Sequence, residues 1–283
     1  MNESESKTAI RLIQDALAED LNEIGDITTC ATSPPEQQCT AVIIAKQDGV
    51  IAGMDVAGMV FRAVDAALDF DALFVDGDRA EPGQEVAKIS GTTASILVAE
   101  RTALNFLGHL SGIATLTALF VQKTKGTNAR IMDTRKTTPA WRLLEKYAVR
   151  CGGGLNHRMG LYDMFLIKEN HIVAAGGITE AVQKCRAYMR AQGIEAKIEV
   201  EVKNIPELEQ ALAAQVDRIM LDNMTVEQMR ECVSIADHRI PLEASGNVSL
   251  DNVGEIARTG VDFISVGSIT HSFKNFDFSL LLR

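Results

Sequence analysis

The alternation of apolar and polar positions divides the chain into two parts of different texture. The first part opens with a predicted helix from Thr8, in which Ile10, Ile13, Leu17 and Leu21 form one apolar stripe. Short strand-like runs follow, separated by Asp-Gly and Pro-Gly pairs that favour turns. These runs predict strands at 41–45, 68–75 and 85–89 and helices at 56–67 and 97–123. The first part is therefore predicted to be an α+β domain.

In the second part, six short apolar runs recur, and successive run ends lie 21 to 35 residues apart. A unit of that length accommodates a strand, a helix and two loops. Helix-start signals lie between the runs: Asn204 with Glu207 and Thr225 with Gln228 have capping-box spacing, and Ser249 precedes another apolar stripe. The predicted strands are 130–132, 164–167, 197–200, 218–221, 240–242 and 262–266.

Repeated strand–helix units with polar groups at the strand ends are typical of an α/β barrel. Because six units are visible instead of eight, the sequence predicts an incomplete barrel of six to seven strands. An open, doubly wound α/β sheet is the competing architecture.

Composition narrows the class of protein. With 38 acidic and 28 basic residues the net charge is −10, which disfavours nonspecific binding to nucleic acid. No uninterrupted apolar run approaches the roughly 18 residues that cross a bilayer, so we expect a cytoplasmic protein without a membrane partner. The five cysteines form no C-x-x-C pair, and we expect them to be reduced and to bind no metal.

Positive side chains gather near the ends of the first predicted strands of the second part. Arg135 and Lys136 follow the first strand, Arg158 lies in the next connection, and Lys168 ends the second strand. Arginine binds carboxylates through two parallel hydrogen bonds, and lysine supplies a point charge. In an acidic chain this set indicates a small polyanionic substrate, with ordinary surface ion pairing as the alternative. A desolvated Lys168 could instead form a Schiff base in an aldolase-like barrel, but the neighbouring arginines favour an anion and a protonated lysine.

Two acids, Glu201 and Asp222, end the third and fourth predicted strands. Carboxylates facing one cavity can hold Mg²⁺, or can stabilise positive charge that develops on a sugar ring. The alternative is ion pairing of these acids with Lys203 and Arg218.

Glycines follow the last two predicted strands, in 245–247 (SGN) and 266–268 (VGS). Loops after the late strands of α/β barrels frequently bind phosphate through backbone N–H groups. The residues thus predict a site for a small carboxylated molecule at the early strand ends and a phosphorylated one at the late glycines, with acids between them.

Longer strings of residues are more specific than these patterns. They are 133–139 (DTRKTTP), 152–158 (GGGLNHR), 166–171 (LIKENH), 199–202 (EVEV), 220–223 (MLDN), 243–247 (EASGN), 261–268, and in the first part 25–29 (GDITT), 100–101 (ER), 104–107 (LNFL) and 110–115 (LSGIAT). Through them the chain resembles the quinolinate phosphoribosyltransferase family, also called nicotinate-nucleotide pyrophosphorylase (carboxylating), over nearly its whole length.

The resemblance implies an N-terminal α+β domain at 1–113, which the C-terminal tail 271–283 joins, and a barrel domain at 114–270. It also implies a homodimer in which Arg101 reaches the partner's site. The implied quinolinate-binding residues are Arg101, Thr134, Arg135, Lys136, His157, Arg158 and Lys168. Those implied for phosphoribosyl pyrophosphate are Glu201, Asp222, Ser245, Gly246, Asn247, Val266, Gly267, Ser268 and His271.

The resemblance further implies the reaction. The pyridine nitrogen displaces pyrophosphate through an oxocarbenium-like transition state, and CO₂ then leaves, giving nicotinate mononucleotide for NAD synthesis. Mg²⁺ is expected at Glu201 and Asp222, directly or through water. The expected catalytic residues are Lys136, Lys168, Glu201 and Asp222.

Three residues depart from the family's pattern. Ala140 and Trp141 stand where Gly-Leu is frequent, and Asn22 stands where glycine is frequent. They put local loop conformation in question more than activity. Two other readings are a relative associated with molybdate-transport operons, which shares this fold but retains the basic set less completely, and a non-catalytic anion-binding module.

Overall fold

The computed structural model describes all residues from Met1 to Arg283. The helices are α1 Glu3–Leu21, α2 Ile27–Thr32, α3 Met54–Val64, α4 Thr93–Lys123, α5 Arg142–Cys151, α6 Glu169–Ala175, α7 Ile178–Gln192, α8 Ile205–Ala213, α9 Val226–Ala236, α10 Val253–Ala257 and α11 Ser268–His271. The strands are β1 Gln38–Ala45, β2 Gly49–Val50, β3 Asp69–Ala72, β4 Arg79–Ala80, β5 Glu85–Thr92, β6 Arg130–Met132, β7 Met164–Ile167, β8 Lys197–Val202, β9 Arg218–Asp222, β10 Leu242–Ser245, β11 Phe263–Ser265 and β12 Phe278–Leu282.

The chain forms two compact units. The first contains Met1–Ala118, Thr137–Gly153 and Ile269–Arg283, and the second contains Leu119–Lys136 and Gly154–Ser268. The predicted domain boundaries after residues 113 and 270 stay a prediction. The units place the corresponding divisions after Ala118 and Ser268, and they group Thr137–Gly153 with the first unit.

The first unit is α+β, as predicted. Its antiparallel sheet has the strand order β12-β1-β5-β3, so the C-terminal strand β12 pairs with β1, and β2 pairs with β4. Helix α1 packs against α3 and α5. Helix α4 is long and apolar enough to cross a bilayer by length and composition, yet 61% of its most apolar window is buried, as in the core helix of a soluble protein.

Helix α1 begins at Glu3, five residues before the predicted start at Thr8. Asn2 is its N-cap: the Asn2 side chain accepts a hydrogen bond from the Glu5 backbone N–H, and the Glu5 carboxylate accepts one from the Asn2 N–H. The prediction was wrong because it started the helix with the apolar stripe. The reciprocal cap satisfies the first N–H groups one turn earlier.

The second unit contains a six-stranded sheet whose pairings are all parallel, in the order β6-β11-β10-β9-β8-β7. The first strand, β6, pairs with the last, β11, as in a closing barrel, while β6 and β7 are not hydrogen-bonded to each other. This order confirms the incomplete α/β barrel. It is incompatible with a doubly wound sheet, in which the strand order reverses at a switch point.

Strands β6 and β7 have the predicted bounds, and the predicted caps Asn204 and Thr225 start α8 and α9. Two other predictions were wrong. Strand β10 begins at Leu242, because Pro241 has no N–H for a ladder, and it continues through the polar Glu243 to Ser245. Helix α10 begins at Val253 after Asn252, not at Ser249.

The pleat of β8 explains how polar groups enter the barrel. Successive side chains of a strand point to opposite faces, so Ile198, Val200 and Val202 share one face, while Glu199 and Glu201 share the other. All of these except Glu201 are buried. Charged side chains of one strand therefore occupy two levels of the same face, one buried and one near the strand's carboxyl end.

Candidate active site

The parallel order of the sheet brings the carboxyl ends of all six strands to one edge. Asp133 follows β6, Lys168 follows β7, Glu201 is the second-last residue of β8, and Asp222 and Ser245 end β9 and β10. The register pairs Ser245 with Asp222. Sequence positions more than 100 residues apart are thus placed along a single edge, where α/β barrels build their sites.

An ion pair joins two of the predicted catalytic residues at this edge. Lys168 Nζ lies 2.9 Å from Glu201 Oε2, with the Lys168 side chain 49% exposed and the Glu201 side chain 11% exposed. Lys168 is therefore neither desolvated nor unpaired, which argues against a nucleophilic amine and a Schiff base. The pair is accessible enough for another anion to replace Glu201.

The two predicted arginines of the barrel lie close enough to repel each other. Burial lowers the pKa of Arg158, and the neighbouring positive charge of Arg135 lowers it further. Arg158 Nη1 donates to the Met164 carbonyl oxygen at 3.2 Å, which holds the guanidinium beside β7. Two arginines held together in this way have the chemistry to bind an anion with more than one negative charge.

The other predicted site residues in the loop after β6 are more exposed to solvent. Thr134 is half-buried, and its Oγ1 accepts a hydrogen bond from the Lys136 backbone N–H at 3.0 Å. The Lys136 side chain is exposed. This short turn places Thr134, Arg135 and Lys136 on one loop immediately beyond Asp133.

A second, buried charged cluster lies deeper in the barrel and consists of His157, Glu199, Arg218 and Glu243. His157 Nε2 lies 3.1 Å from Glu199 Oε2 and 3.5 Å from Glu243 Oε1, and Arg218 Nη1 lies 3.0 Å from Glu243 Oε2. Neither carboxylate side chain is exposed. The guanidinium of Arg218 also stacks over the Phe263 ring, 4.3 Å from its centroid.

The two buried carboxyl groups, those of Glu199 and Glu243, change each other's pKa. Burial raises the pKa of Glu243 to about 8, and the nearby Glu199 contributes to that rise. Burial likewise raises the pKa of Glu199, while Arg218 opposes the increase. Two carboxylates this close are not readily ionised together, so the pair favours holding one proton.

His157 is held on its backbone side as well. Its N–H donates to Asp133 Oδ1 at 2.9 Å, and the Asn156 side-chain amide donates to Asp133 Oδ2 at 2.6 Å. Asp133 itself is fully buried. The strand-end aspartate therefore fixes the loop that carries Asn156, His157 and Arg158.

The glycine after β10 has a steric reason to be glycine. Gly246 has φ +98°, and a Cβ there would lie 2.2 Å from Asn223 Oδ1. The Asn223 side chain bridges the edge: its amide donates to Asp222 Oδ2 at 3.0 Å, and its oxygen accepts from Asn247 Nδ2 at 3.1 Å. Ser245, Gly246 and Asn247 are thereby held next to Asp222. Val266, Gly267 and Ser268 form the corresponding connection from β11 to α11.

Two predicted site residues belong to the first unit. Arg101 lies on α4 and is exposed. His271 ends α11, is exposed, and has its Nδ1 2.7 Å from Ser272 Oγ.

The alternative interpretation, ion pairing of Glu201 and Asp222 with Lys203 and Arg218, is not what the structure has. Lys203 pairs with Glu169, and Arg218 pairs with Glu243. Of the buried cluster, His157 was predicted as a site residue, whereas Glu199, Arg218 and Glu243 were not. A signal for it was present, since the period-2 alternation of β8 puts Glu199 on the same face as Glu201.

Comparisons with known proteins find similar sequences and structures over nearly the whole chain. The family model described as the quinolinate phosphoribosyl transferase N-terminal domain matches residues 26–111, and the model for its C-terminal domain matches residues 113–281. Nicotinate-nucleotide pyrophosphorylase [carboxylating] of Mycobacterium leprae is 42% identical, over 99% of each chain. The chloroplastic protein of that name from Arabidopsis thaliana is 43% identical, over 97% of this chain and 82% of the plant protein. The solved nicotinate-nucleotide pyrophosphorylase of Francisella tularensis superposes with a TM-score of 0.93 at 42% identity, covering 98% of this chain and 96% of the other.

Proposed function

Because this chain belongs to the quinolinate phosphoribosyltransferase family, we propose that the strand-end edge of its barrel is the active site. The chain transfers the phosphoribosyl group of phosphoribosyl pyrophosphate to quinolinate with decarboxylation. The products are nicotinate mononucleotide, CO₂ and pyrophosphate, in de novo NAD synthesis. The observation that carries the site assignment is the crowding of Arg135 against Arg158 at the same edge as Lys168.

Quinolinate carries two carboxylates, and the basic side chains of the edge suit both. Arg135 and Arg158 offer planar pairs of donors, and Lys168 offers a point charge. In this proposal a quinolinate carboxylate displaces Glu201 from Lys168, which leaves Glu201 available to the sugar. The full proposed quinolinate set is Arg101, Thr134, Arg135, Lys136, His157, Arg158 and Lys168.

Phosphoribosyl pyrophosphate is proposed to occupy the other half of the edge. The tight connection at Gly246 lets backbone N–H groups approach a phosphate closely, and Gly267 serves the same purpose after β11. Glu201 and Asp222 face the ribose between the phosphates and quinolinate. The full proposed set is Glu201, Asp222, Ser245, Gly246, Asn247, Val266, Gly267, Ser268 and His271.

The donor chemistry at Glu201 and Asp222 fits Mg²⁺. Both residues supply hard carboxylate oxygens from neighbouring paired strands, and Glu201 pairs in register with Met220, two residues before Asp222. That diagonal separation suits a hydrated ion bound partly through water. When bound, Mg²⁺ would neutralise charge on the pyrophosphate leaving group.

The side chains contribute mainly orientation and charge placement. The pyridine nitrogen of quinolinate attacks the anomeric carbon, and the bond to pyrophosphate breaks. Glu201 and Asp222 stabilise the positive charge that develops on the ribose. The adjacent carboxylate then leaves as CO₂, since the pyridinium ring accepts its electron pair, and the ring carbon takes up a proton. Lys136 and Lys168 hold the carboxylates of quinolinate while the bond to the ribose forms.

A homodimer with shared sites is also proposed. Apolar side chains are exposed around the open edge strand β7: Leu161 is 74% exposed, Tyr162 81% and Val173 75%. Such a patch beside an unpaired strand suits burial against a second copy. By the family resemblance, Arg101 of one copy completes the site of the other. We further propose that the enzyme acts in the cytoplasm.

Mixing two inactive variants tests the shared site. The Arg101→Ala and Lys168→Ala proteins are mixed in equal parts, unfolded and refolded together. About half of the dimers are then hybrids, and each hybrid has one intact site of two, so about a quarter of full activity returns. Each variant refolded alone remains inactive. No recovery in mixtures in which native mass spectrometry detects hybrid dimers would refute the sharing of sites.

A coupled assay tests the site assignment. Wild type with quinolinate, phosphoribosyl pyrophosphate and Mg²⁺ is expected to form nicotinate mononucleotide and CO₂, with little product from nicotinate. Arg135→Ala and Lys168→Ala are each expected to lower kcat/KM for quinolinate by about 10²–10³-fold, the loss of one to two charge-assisted hydrogen bonds. Lys184→Ala, a change on α7 of the outer layer, is the matched control. Near-normal turnover in both site variants would refute the assignment.

A further inference from the structure

We infer that Asp133 and Asn156 are positioning residues for the quinolinate site: their side chains hold together the two loops that carry its basic residues. The inference rests on the proposed function and refines it. His157 and Arg158 remain quinolinate-binding residues. Asp133 and Asn156 act on the substrate through them, and through the loop that begins at Thr134.

Main-chain hydrogen bonds attach the loop of His157 to β6. The Leu155 N–H donates to the Ile131 carbonyl oxygen at 2.8 Å, and the Asp133 N–H donates to the Leu155 carbonyl oxygen at 3.1 Å. Met132 and Leu155 thereby form a single parallel bridge. Since β11 pairs with one side of β6 and β7 does not pair with β6, this segment occupies the edge that no strand covers. The two basic loops therefore begin side by side.

The Asp133 carboxylate extends this attachment into the loop. Its Oδ1 accepts a hydrogen bond from the His157 N–H at 2.9 Å, and its Oδ2 accepts one from the Asn156 side-chain amide at 2.6 Å. Asp133 has no exposed surface. A buried carboxylate oxygen that loses its donor is costly, because water does not reach it. The two donors are therefore confined to one arrangement.

The attachment fixes the points from which the arginine side chains extend. Arg135 is two residues beyond Asp133, and Arg158 is two residues beyond Asn156. Burial and the charge of Arg135 both lower the pKa of Arg158, so the two guanidinium groups repel each other. Hydrogen bonds between their loops oppose that repulsion. A site whose arginines are held in place beforehand loses less entropy when it binds a dicarboxylate.

A strand-end aspartate could instead contact the ribose or hold Mg²⁺, as is proposed for Asp222. The surroundings of Asp133 oppose that role. Both of its oxygens accept hydrogen bonds from the protein and the residue is fully buried, whereas Asp222 is partly exposed. A hydrated ion needs a carboxylate oxygen that it can reach. Asn156 is half-buried, so the experiment has to separate its hydrogen bond from contact with the substrate.

Exchanging the two side chains makes this separation. Asn156→Asp puts a second carboxylate against Asp133 and replaces attraction by repulsion. It is expected to raise KM for quinolinate by about 10-fold or more, since quinolinate then has to reorder the loop. In the double variant Asp133→Asn with Asn156→Asp, a carboxylate again accepts from an amide, and an amide oxygen remains for the His157 N–H. KM is expected to return to within about 5-fold of wild type.

Two further variants control for charge and for folding. Gln183→Glu adds the same charge at an exposed position of α7 and is expected to behave as wild type. Asn156→Ala removes the donor without adding a charge, and it replaces Asn156→Asp if the latter does not fold. Its KM for quinolinate is expected to rise by about 3- to 10-fold, the loss of one hydrogen bond.

KM and kcat are expected to respond differently in Asn156→Asp and Asn156→Ala. KM for phosphoribosyl pyrophosphate is expected to stay within about 2-fold of wild type, and kcat at saturating quinolinate within about 3-fold, because bound quinolinate restores the loop. Partial unfolding would instead lower kcat and leave KM unchanged. Hydrogen exchange followed by mass spectrometry gives a readout that does not depend on activity. Peptides containing 154–158 are expected to exchange faster in Asn156→Asp and to regain protection in the double variant.

The inference is overturned if the double variant binds quinolinate as weakly as Asn156→Asp, which would make Asn156 a direct ligand. It is also overturned if KM rises equally for both substrates, or if exchange at 154–158 stays at the wild-type rate in Asn156→Asp. Failure of the proposed function is distinguishable from these results. Wild type itself would then form no product from quinolinate, while hydrogen exchange would still report on the pair.

Discussion

Two levels of the same barrel carry ion pairs, and they differ in solvent access. At the strand edge, Lys168 pairs with Glu201, and the lysine side chain is nearly half exposed. Below this pair, Arg218 pairs with Glu243, and the carboxylate is fully buried. The upper pair can exchange partners with a substrate, since water screens the separated charges. The lower pair cannot, because separating it leaves a charge in a medium that solvates it poorly.

The largest expected difference in stability comes from removing the cation at each level. Arg218→Ala leaves the one negative charge of the buried Glu199–Glu243 pair without its counter-charge and is expected to lower the free energy of unfolding by about 3–5 kcal/mol. Lys168→Ala is expected to lower it by less than about 1 kcal/mol, although it removes most activity. Urea titrations followed by circular dichroism measure both. Arg218→Met, which keeps contact with Phe263, separates lost charge from lost packing. Equal losses for Arg218→Ala and Lys168→Ala would contradict the distinction between the two levels.

Sequence patterns predicted the upper level better than the lower one. Lys168, Glu201 and Asp222 lie at or next to strand ends, and the repeat of strand–helix units made those ends visible. Glu243 was assigned to the segment after a strand, because the apolar run stops at Leu242. A barrel interior that accepts buried charge breaks the rule that strands of parallel sheets are continuously apolar.

The contacts of the buried cluster could not be predicted from local pattern at all. His157 comes from a loop, and Glu199, Arg218 and Glu243 come from three different strands. Their meeting depends on the strand order β8-β9-β10 and on register, neither of which the spacing of residues specifies. The predicted start of α1 was wrong for a local reason, because the reciprocal cap of Asn2 and Glu5 precedes the apolar stripe.

The pH dependence of stability sharpens the comparison at the lower level. The pKa of Glu243 is raised to about 8, above an unfolded value of about 4.3, so the folded state binds more protons between these limits. The stability that the protonated group confers is fully present below pH 4.3 and is lost as pH rises towards 8, with a slope of at most about 1.4 kcal/mol per pH unit. Glu243→Gln is expected to flatten this part of the profile. Unfolding titrations from pH 5 to pH 8 that give wild type and variant the same slope would contradict it.

The smallest expected effect on stability concerns two residues outside both levels, Ala140 and Asn22. Ala140 has φ 67° and Asn22 has φ 47°, left-handed values at two of the positions where the family resemblance expects glycine. The left-handed conformation costs alanine about 1–2 kcal/mol, and part of that gain is lost to the greater freedom of unfolded glycine, so Ala140→Gly is expected to stabilise by about 0.5–1 kcal/mol. Asn22→Gly is the matched comparison: the Asn22 ψ of −142° lies outside the left-handed helical region that asparagine tolerates, so the gain is expected to be no smaller. Thermal unfolding measures both, and a destabilised Ala140→Gly would show that the methyl group makes a necessary contact.

The central claim is that Glu201 only occupies Lys168 until quinolinate arrives and then serves the ribose. Calorimetric titration of quinolinate into Glu201→Gln, without phosphoribosyl pyrophosphate, tests it most directly. Removing the competing carboxylate is expected to leave the Kd for quinolinate unchanged or to tighten it by up to about 5-fold, the worth of one exposed ion pair. Product formation by the same variant is expected to fall by about 10²-fold or more. Quinolinate binding that weakens together with turnover would contradict the exchange and make Glu201 part of the quinolinate site.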